Sequence, residues 1–428
     1  MDHLLRTVLI QEVHARPFMA VEPPEHASHL AFVSGEEAIA EDVAHLVRLC
    51  QCFGVPAPTP GARHFSFDFK LFRLKWERHG EFCTYTFFCH GPFEQPFSFS
   101  AISNVPRDWL EEIPGNRLVA VHVAVDPRDR PPRTAADLAV VFESQTLCGS
   151  RVFGGAALAW TDFVVHEDGF GRILVRDINL DPLEAGRLVQ RLLEIETYRM
   201  MALVGLPLVQ EHGPRIRQIE QQTAQIARSM SEIAGLEDTR GMLSRLSRLS
   251  ADVEGITARL IYRVDATRAY FALVRRRVER LREERLERLQ TIEEFMERRL
   301  APAMQTCEAM ARRLDSLARR LSRSSDLLRT QVDVGLEEQN RDILLSMDRR
   351  ARLQSRLQRI LEVISIVALT YYLTMLLITI LGAIKSAGVP FDVELVAGAA
   401  TPFLLGIVWL AVRWTRKTVI RRHERELD

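Results

Sequence analysis

Lysine is nearly missing from this chain. Only Lys70, Lys75, Lys385 and Lys417 occur, and the rest of the 56 basic residues are arginine, for which a GC-rich genome is the simplest source. The arginines are interleaved with 56 acidic residues, so the net charge is zero and nucleic acid is excluded as the main partner. Cysteine is scarce too: Cys50, Cys52, Cys83, Cys89, Cys148 and Cys307 fall at no zinc spacing. They read as free thiols of a reducing compartment. His14, His29, His64, His122 and His166 form no His-x-x-x-His pair. Gly154-Gly155 and the glycines at 169 and 171 are followed by no Lys-Ser/Thr, so neither reads as a phosphate loop, and the 154–155 pair reads instead as a bulge or a close backbone approach. The expectation is that there are no catalytic, cofactor-binding or metal-binding residues, and no cofactor. No signal peptide is expected, because the first apolar run is short and broken by Gln11 and Glu12.

What the chain does have is two long apolar runs near its end. Val363–Ile384 carries no formal charge, and Val393–Val412 follows after a short loop. Roughly 20 apolar residues suffice to cross a bilayer as a helix, so the pair reads as a transmembrane hairpin. Arg349, Arg350, Arg352, Arg356 and Arg359 precede it, and Arg413, Arg416, Lys417, Arg421, Arg422 and Arg425 follow it. The loop between has Lys385 set against Asp392 and Glu394. Short basic flanks stay in the cytoplasm, so both termini are expected there, at the inner membrane of a bacterium. The bilayer is the first expected partner, with anionic lipids a further one at the basic tail. Thr370, Tyr371, Tyr372 and Thr374 lie inside the first span and need hydrogen-bond partners. Gly398, Pro402 and Gly406 share a face of the second, which suits close packing of the two spans, a subunit contact or the wall of a pore.

Ahead of the hairpin the chain reads as soluble protein. The expected fold is an α+β cytoplasmic domain with a largely antiparallel sheet, then long coiled-coil-like helices, then the two-helix hairpin. Its boundaries are 1–205 for the domain, 206–360 for a helical stalk, 361–412 for the hairpin and 413–428 for the tail. Strands are expected at 29–34, 65–77, 82–89, 117–125, 148–153, 157–166 and 172–178, with helices at 36–53 and 135–143. Asp181-Pro182 is a helix start, the Asp as cap and the Pro in the first turn. From Pro214 to Ile360 the pattern is helical, with breaks expected at Gly213-Pro214, Gly235–Gly241 and Pro302. The Glu12-Val13-His14-Ala15-Arg16 stretch reads as a docked terminal segment, with Glu12 paired to Arg16, rather than as a catalytic cluster.

Several segments carry a resemblance: EVHARPF (12–18), WTDFVVHEDGFGRILV (160–175), GRLVQRLLEIETYRMMALVGLP (186–207), RRLAPAMQTCEAM (298–310), LLRTQVDVGLEEQN (327–340), SMDRRARLQSRLQ (346–358) and ALTYYL (368–373). They resemble a bacterial family of membrane-anchored proteins, known only as a domain of unknown function. The resemblance implies two C-terminal spans and carries over no functional residues. In architecture alone the chain is similar to CorA-type magnesium channels. Their Tyr-Gly-Met-Asn motif is absent, and Ile380–Lys385 stands in its place. The function expected is a cytoplasm-facing scaffold, with a homo-oligomer or protein partner joined through the stalk and no enzyme activity. The alternatives are a cation channel with Asp392 and Glu394 as an outer acidic ring, and an enzyme with its site in the first domain.

Overall fold

A computed structural model describes residues 6, 18–35, 38–91, 95–143, 146–230, 235–286, 288–386 and 392–424, without the side chains of 39, 385–386 and 415–424. The Glu12–Arg16 cluster, the loop at 387–391 and the side chains of the basic tail beyond Trp414 lie outside these residues. The chain divides into two compact units, one of residues 1–233 and 241–326, the other of 234–240 and 327–428.

The first unit is built on a nine-stranded sheet. Its strands are β1 (Glu25–Val33), β2 (His64–Asp68), β3 (Arg73–Arg78), β4 (Phe82–His90), β5 (Asn116–Asp126), β6 (Cys148–Val152), β7 (Ala157–Thr161), β8 (Gly171–Asp177) and β9 (Glu284–Arg285). Their order in the sheet is β2-β3-β4-β1-β5-β8-β7-β6-β9. Every pairing is antiparallel except β5 with β8, so the sheet is mixed but mostly antiparallel. β1 runs down the middle, nine residues against β4 on one side and, past a register shift at Ala31/Phe32, against β5 on the other. It begins four residues before the expected strand, because Glu25, His26 and Ser28 are buried polar residues that mask the alternation. The expected strand over 65–77 is instead a hairpin, β2 to β3, with Lys70 at φ +70 in the turn.

Helices cover both faces. On one face α1 (Ile39–Phe53) sets Leu46, Leu49 and Cys50 against Leu74, Trp76, Tyr85 and Phe87. α2 (Arg107–Glu111) adds Trp109, whose indole N–H donates to the His45 carbonyl at 2.8 Å. Further along this face, Leu138 and Phe142 of α3 (Ala135–Phe142) meet Trp160 and Leu174. On the other face lies α4 (Pro182–Leu203). Asp181 caps it through the Glu184 amide at 2.7 Å, Glu184 returns a bond to the Asp181 amide, and Pro182 fills the first turn, as the sequence predicts. Leu188, Val189, Leu192 and Ile195 of α4 cover Val121, Val123, Ile173 and Val175.

Four helices follow, and residues of the last three complete that same core. They are α5 (Gly205–Ser229), α6 (Leu236–Glu279), α7 (Ile292–Arg299) and α8 (Ala301–Ser386). Val274, Val278, Met296 and Met304 belong to the cluster under α4. Three expectations for this region are corrected. Pro214 lies inside α5, so there is no break there. Gly241 likewise lies inside α6, which begins right after Gly235. The stretch is not helical throughout: β9 interrupts it and pairs with the free edge of β6, Ser150 opposite Arg285. Pro302 sits in the first turn of α8, where a missing amide costs little.

In the second unit α8 continues to Ser386, and α9 spans Val393–Glu424 with Pro402 inside it. Two stretches, ending at Ile384 and Trp414, are long and apolar enough to cross a membrane. The hydroxyls of Thr370, Thr374, Thr379 and Thr401 each donate at 2.8 Å to the carbonyl four residues earlier. Each helix thus satisfies these groups by itself. A methyl built on Gly398 or Gly406 would meet nothing within 4 Å, so the small-residue row does not pack the two spans together. Ala397 and Val408, on another face, are the buried residues of α9.

Candidate functional site

A polar space in the first unit lies between α4 and the β3–β4–β1 part of the sheet. It is a cavity of about 230 Å³. The sheet supplies His29 from β1, Lys75 and Glu77 from β3, and Thr84 and Thr86 from β4. These side chains share a face because they alternate along each strand. α4 supplies Gln190, Glu194, Thr197 and Tyr198, which fall on one face at helical spacing, and α6 supplies Arg277. Met19, Phe82, Phe88 and Leu193 give it an apolar side.

A chain of hydrogen bonds crosses the cavity. Lys75 Nζ lies 3.1 Å from Glu77 Oε2 and donates to Gln190 Oε1 at 3.0 Å. The Gln190 amide nitrogen donates to Glu194 Oε1 at 2.9 Å. Arg277 Nε donates to the other oxygen of Glu194. Two cation–carboxylate pairs are thus joined by one neutral amide. The Lys75–Glu77 pair is the deeper, at 8% and 13% exposed, against 23% and 21% for Arg277–Glu194.

His29 closes the floor. Its Nδ1 is 2.8 Å from Thr86 Oγ1 and its Nε2 is 3.0 Å from Thr197 Oγ1. The Thr197 hydroxyl already donates to the Leu193 carbonyl at 2.9 Å, so it accepts from Nε2–H. Nδ1 then accepts from Thr86. Burial, with a smaller push from the Lys75 charge, brings the His29 pKa down to about 3. His29 is a neutral strut with both nitrogens engaged. The two hydroxyls beside it, Thr86 and Thr197, are both committed to holding the ring in place.

Around the rim, His79 stacks on Phe82 at 4.3 Å. Glu81 accepts from Arg263 at 2.6 and 2.7 Å and from Tyr270 at 2.8 Å, tying α6 to the strand edge. Arg73 pairs with Glu25 and donates to the Ala20 carbonyl at 2.9 Å, which holds the chain at the cavity mouth. Burial raises the Glu25 pKa, and Arg73 opposes the rise.

Charged groups also line two other spaces in the first unit, Arg275, Glu279 and Glu293 at one of about 260 Å³ and Arg130, Arg133 and Arg172 at one of about 660 Å³. Arg78 and Asp42 form a buried pair under α1, with Ser34 Oγ accepting from Arg78 at 2.6 Å. Burial raises the Asp42 pKa and pushes the neighbouring Cys83 thiol up to about 12. The six cysteines are free and four are buried, as expected; Cys52 is exposed. Of the singled-out histidines, His14 is outside the described residues. His29 is in the cavity and His64 opens β2 on the surface. His122 stacks on Phe170 at 3.9 Å and bonds Ser28, and His166 lies 3.1 Å from Asp162. The sequence brought none of these together, and the structure joins none of them to another. Among the described residues, no three His, Cys, Asp or Glu side chains gather as a metal site. Gly154 and Gly155 form a turn at φ +66 and +90, which is neither a bulge nor a phosphate loop. Asp392, one of the two acidic residues at the hairpin loop, caps α9 by accepting the Glu394 amide at 3.1 Å.

A family model described as "Protein of unknown function (DUF3422)" matches residues 1–419. The chain belongs to that family. No curated protein and no solved structure matches it. The match takes in every residue lining the cavity and both apolar helices, so a DUF3422 protein carries the two on one chain. Lys75, Gln190, Glu194 and Arg277 were missed by sequence reasoning. One signal was available: Gln190, Glu194 and Thr197 interrupt the face of α4 that is otherwise apolar.

Proposed function

We propose that this is a two-span protein of the bacterial inner membrane, with its folded unit and both termini in the cytoplasm. There it acts as a scaffold that assembles with further copies of itself. The observation that carries this reading is a bare stretch of α8. From Leu336 to Leu361 the helix is exposed throughout, yet Leu336, Ile343, Met347, Leu357 and Leu361 fall at three-, four- and seven-residue multiples along one side. Asn340, Arg350 and Gln354 fill the remaining seam positions, and Leu344, Leu353 and Ile360 widen the stripe. The opposite side holds Arg341, Asp342, Asp348, Arg352, Arg356 and Arg359. A second copy suits the stripe best. Chains inserted with the same topology present the same stretch at the same depth, parallel and in register. The widened seam favours more than two helices. The basic tail then lies at the cytoplasmic leaflet, where anionic head groups meet it.

The mass of the intact protein in lipid nanodiscs tests the reading. Two or more copies are expected, and Ile343→Asp with Leu357→Asp should shift the population toward single chains. A monomer in the unsubstituted protein overturns it. A closed ring of many copies, with Asp392 and Glu394 at its outer mouth, would carry the reading on to a cation channel.

A further inference from the structure

The cavity under α4 has features that folding alone does not require. Protein interiors close-pack, and the rest of this core is filled by Val, Leu, Ile and Met. Here four charged side chains surround a space instead of filling it. Buried ion pairs seldom stabilise a fold over apolar side chains of the same size. The retained charges therefore have another use, and their arrangement says which. Lys75 and Arg277 are balanced by Glu77 and Glu194, and His29 is uncharged. An anion would face two carboxylates, and a cation would face a lysine and an arginine. A molecule bearing one charge of each sign matches both walls. The volume, about 230 Å³, is below the ~300–1,000 Å³ of drug-sized pockets. The apolar side formed by Met19, Phe82, Phe88 and Leu193 leaves room for a short carbon chain.

We propose that this cavity binds a small zwitterion of the α-amino-acid class. The ligand carboxylate accepts from Lys75 on the floor and the ligand ammonium donates to Glu194 nearer the mouth. Gln190, which joins those two groups, yields one or both of its bonds. The Arg277–Glu194 pair, the more exposed of the two, forms the entrance. The proposal stands apart from the membrane reading, since every residue in it belongs to the first unit.

The test uses the full-length protein in nanodiscs. Its thermal midpoint is followed with each common α-amino acid at millimolar concentration, and calorimetry is run on any that raises it. At least one amino acid should bind saturably. Its decarboxylated amine and its deaminated acid should each bind roughly tenfold more weakly or worse, having lost one charge-assisted contact. Glu194→Gln at the mouth should weaken binding by a similar factor while leaving the far-ultraviolet spectrum unchanged. Gln190→Leu, which removes no charge and so spares the fold, should weaken it too. The idea is overturned if no amino acid binds, if the amine or the acid binds as well as the zwitterion, or if neither variant changes the affinity.

Discussion

His29 shows how a histidine with no spaced partner in the sequence becomes a structural strut in the fold. Its two ring nitrogens are fixed by Thr86 and Thr197, and burial holds it neutral, with a pKa of about 3. The unfolded chain returns it to about 6.5. Between those values the unfolded state binds a proton that the native state does not, so stability falls as pH drops below about 6.5 and is unaffected above it. One such group changes stability by about 1.4 kcal/mol per pH unit inside that window. His26, His45 and His122, each lowered to about 4 chiefly by burial, act in the same direction. His29→Gln keeps a donor and an acceptor but does not titrate. It should therefore flatten the fall of the unfolding midpoint between pH 6 and 4, measured as a paired pH series; coincident slopes would contradict the assignment. None of this was legible in the sequence. A histidine with no spaced partner gives no sign of whether a threonine distant in sequence, such as Thr197, will reach it. The cavity residues were hidden for a related reason. Polar residues on a charged helix default to a solvated face, so the polar interruption of α4 gains its meaning only from the contacts of Gln190 with Lys75 on β3 and of Glu194 with Arg277 on α6.

At the scale of the element, Gly186 decides how α4 sits. Alanine in a helix interior normally gains up to about 1 kcal/mol over glycine. At 186, however, a methyl would lie 1.8 Å from the Met19 carbonyl oxygen, and the strand-like lead into β1 is pinned there by the Val21 amide bond to the Pro182 carbonyl. Relieving that overlap means moving backbone, at about 1–3 kcal/mol. Gly186→Ala should thus destabilise, whereas Gly241→Ala in α6, with nothing within 4 Å, should stabilise by up to about 1 kcal/mol. Denaturation of the two variants side by side checks the opposite signs. Elements set by local signals were legible in the sequence. α4 was fixed by its Asp181 cap and Pro182, and the β7–β8 pairing was signalled by the glycine turn that places Gly169 at φ +80, although β7 ends at Thr161 and not at the expected residue 166. Elements set by distant partners were not. β9 is two residues long, and it exists because the edge of β6 accepts Glu284 and Arg285. Pro214 reads locally as a break, yet Gly213 before it and Ile216 and Ile219 after it are buried, and that packing carries α5 through.

For the whole molecule the informative asymmetry is that of charge about two apolar stretches. Five arginines, at 349, 350, 352, 356 and 359, stand before the first, and all are exposed. Six basic residues follow the second, and between them only Lys385 opposes Asp392 and Glu394. This much was legible, because apolar composition and flanking arginine need no tertiary contact to be read. How far the soluble core extends was not. Residues of α6, α7 and α8 complete the hydrophobic layer under α4, and in the sequence they look like any other stalk heptads. The charge asymmetry predicts that a periplasm-dependent reporter, such as alkaline phosphatase, is inactive when fused after Glu424 and active when inserted in the loop at 387–391. A fluorescent protein that folds only in the cytoplasm should give the reverse. The opposite pattern would place six free cysteines, one of them the exposed Cys52, in an oxidising compartment. It would also pull eleven basic flanking residues across the membrane, against the cost that normally keeps them inside. Those two penalties have independent physical origins, thiol chemistry and charge translocation, so the paired reporters test the proposed cytoplasmic placement on two separate grounds.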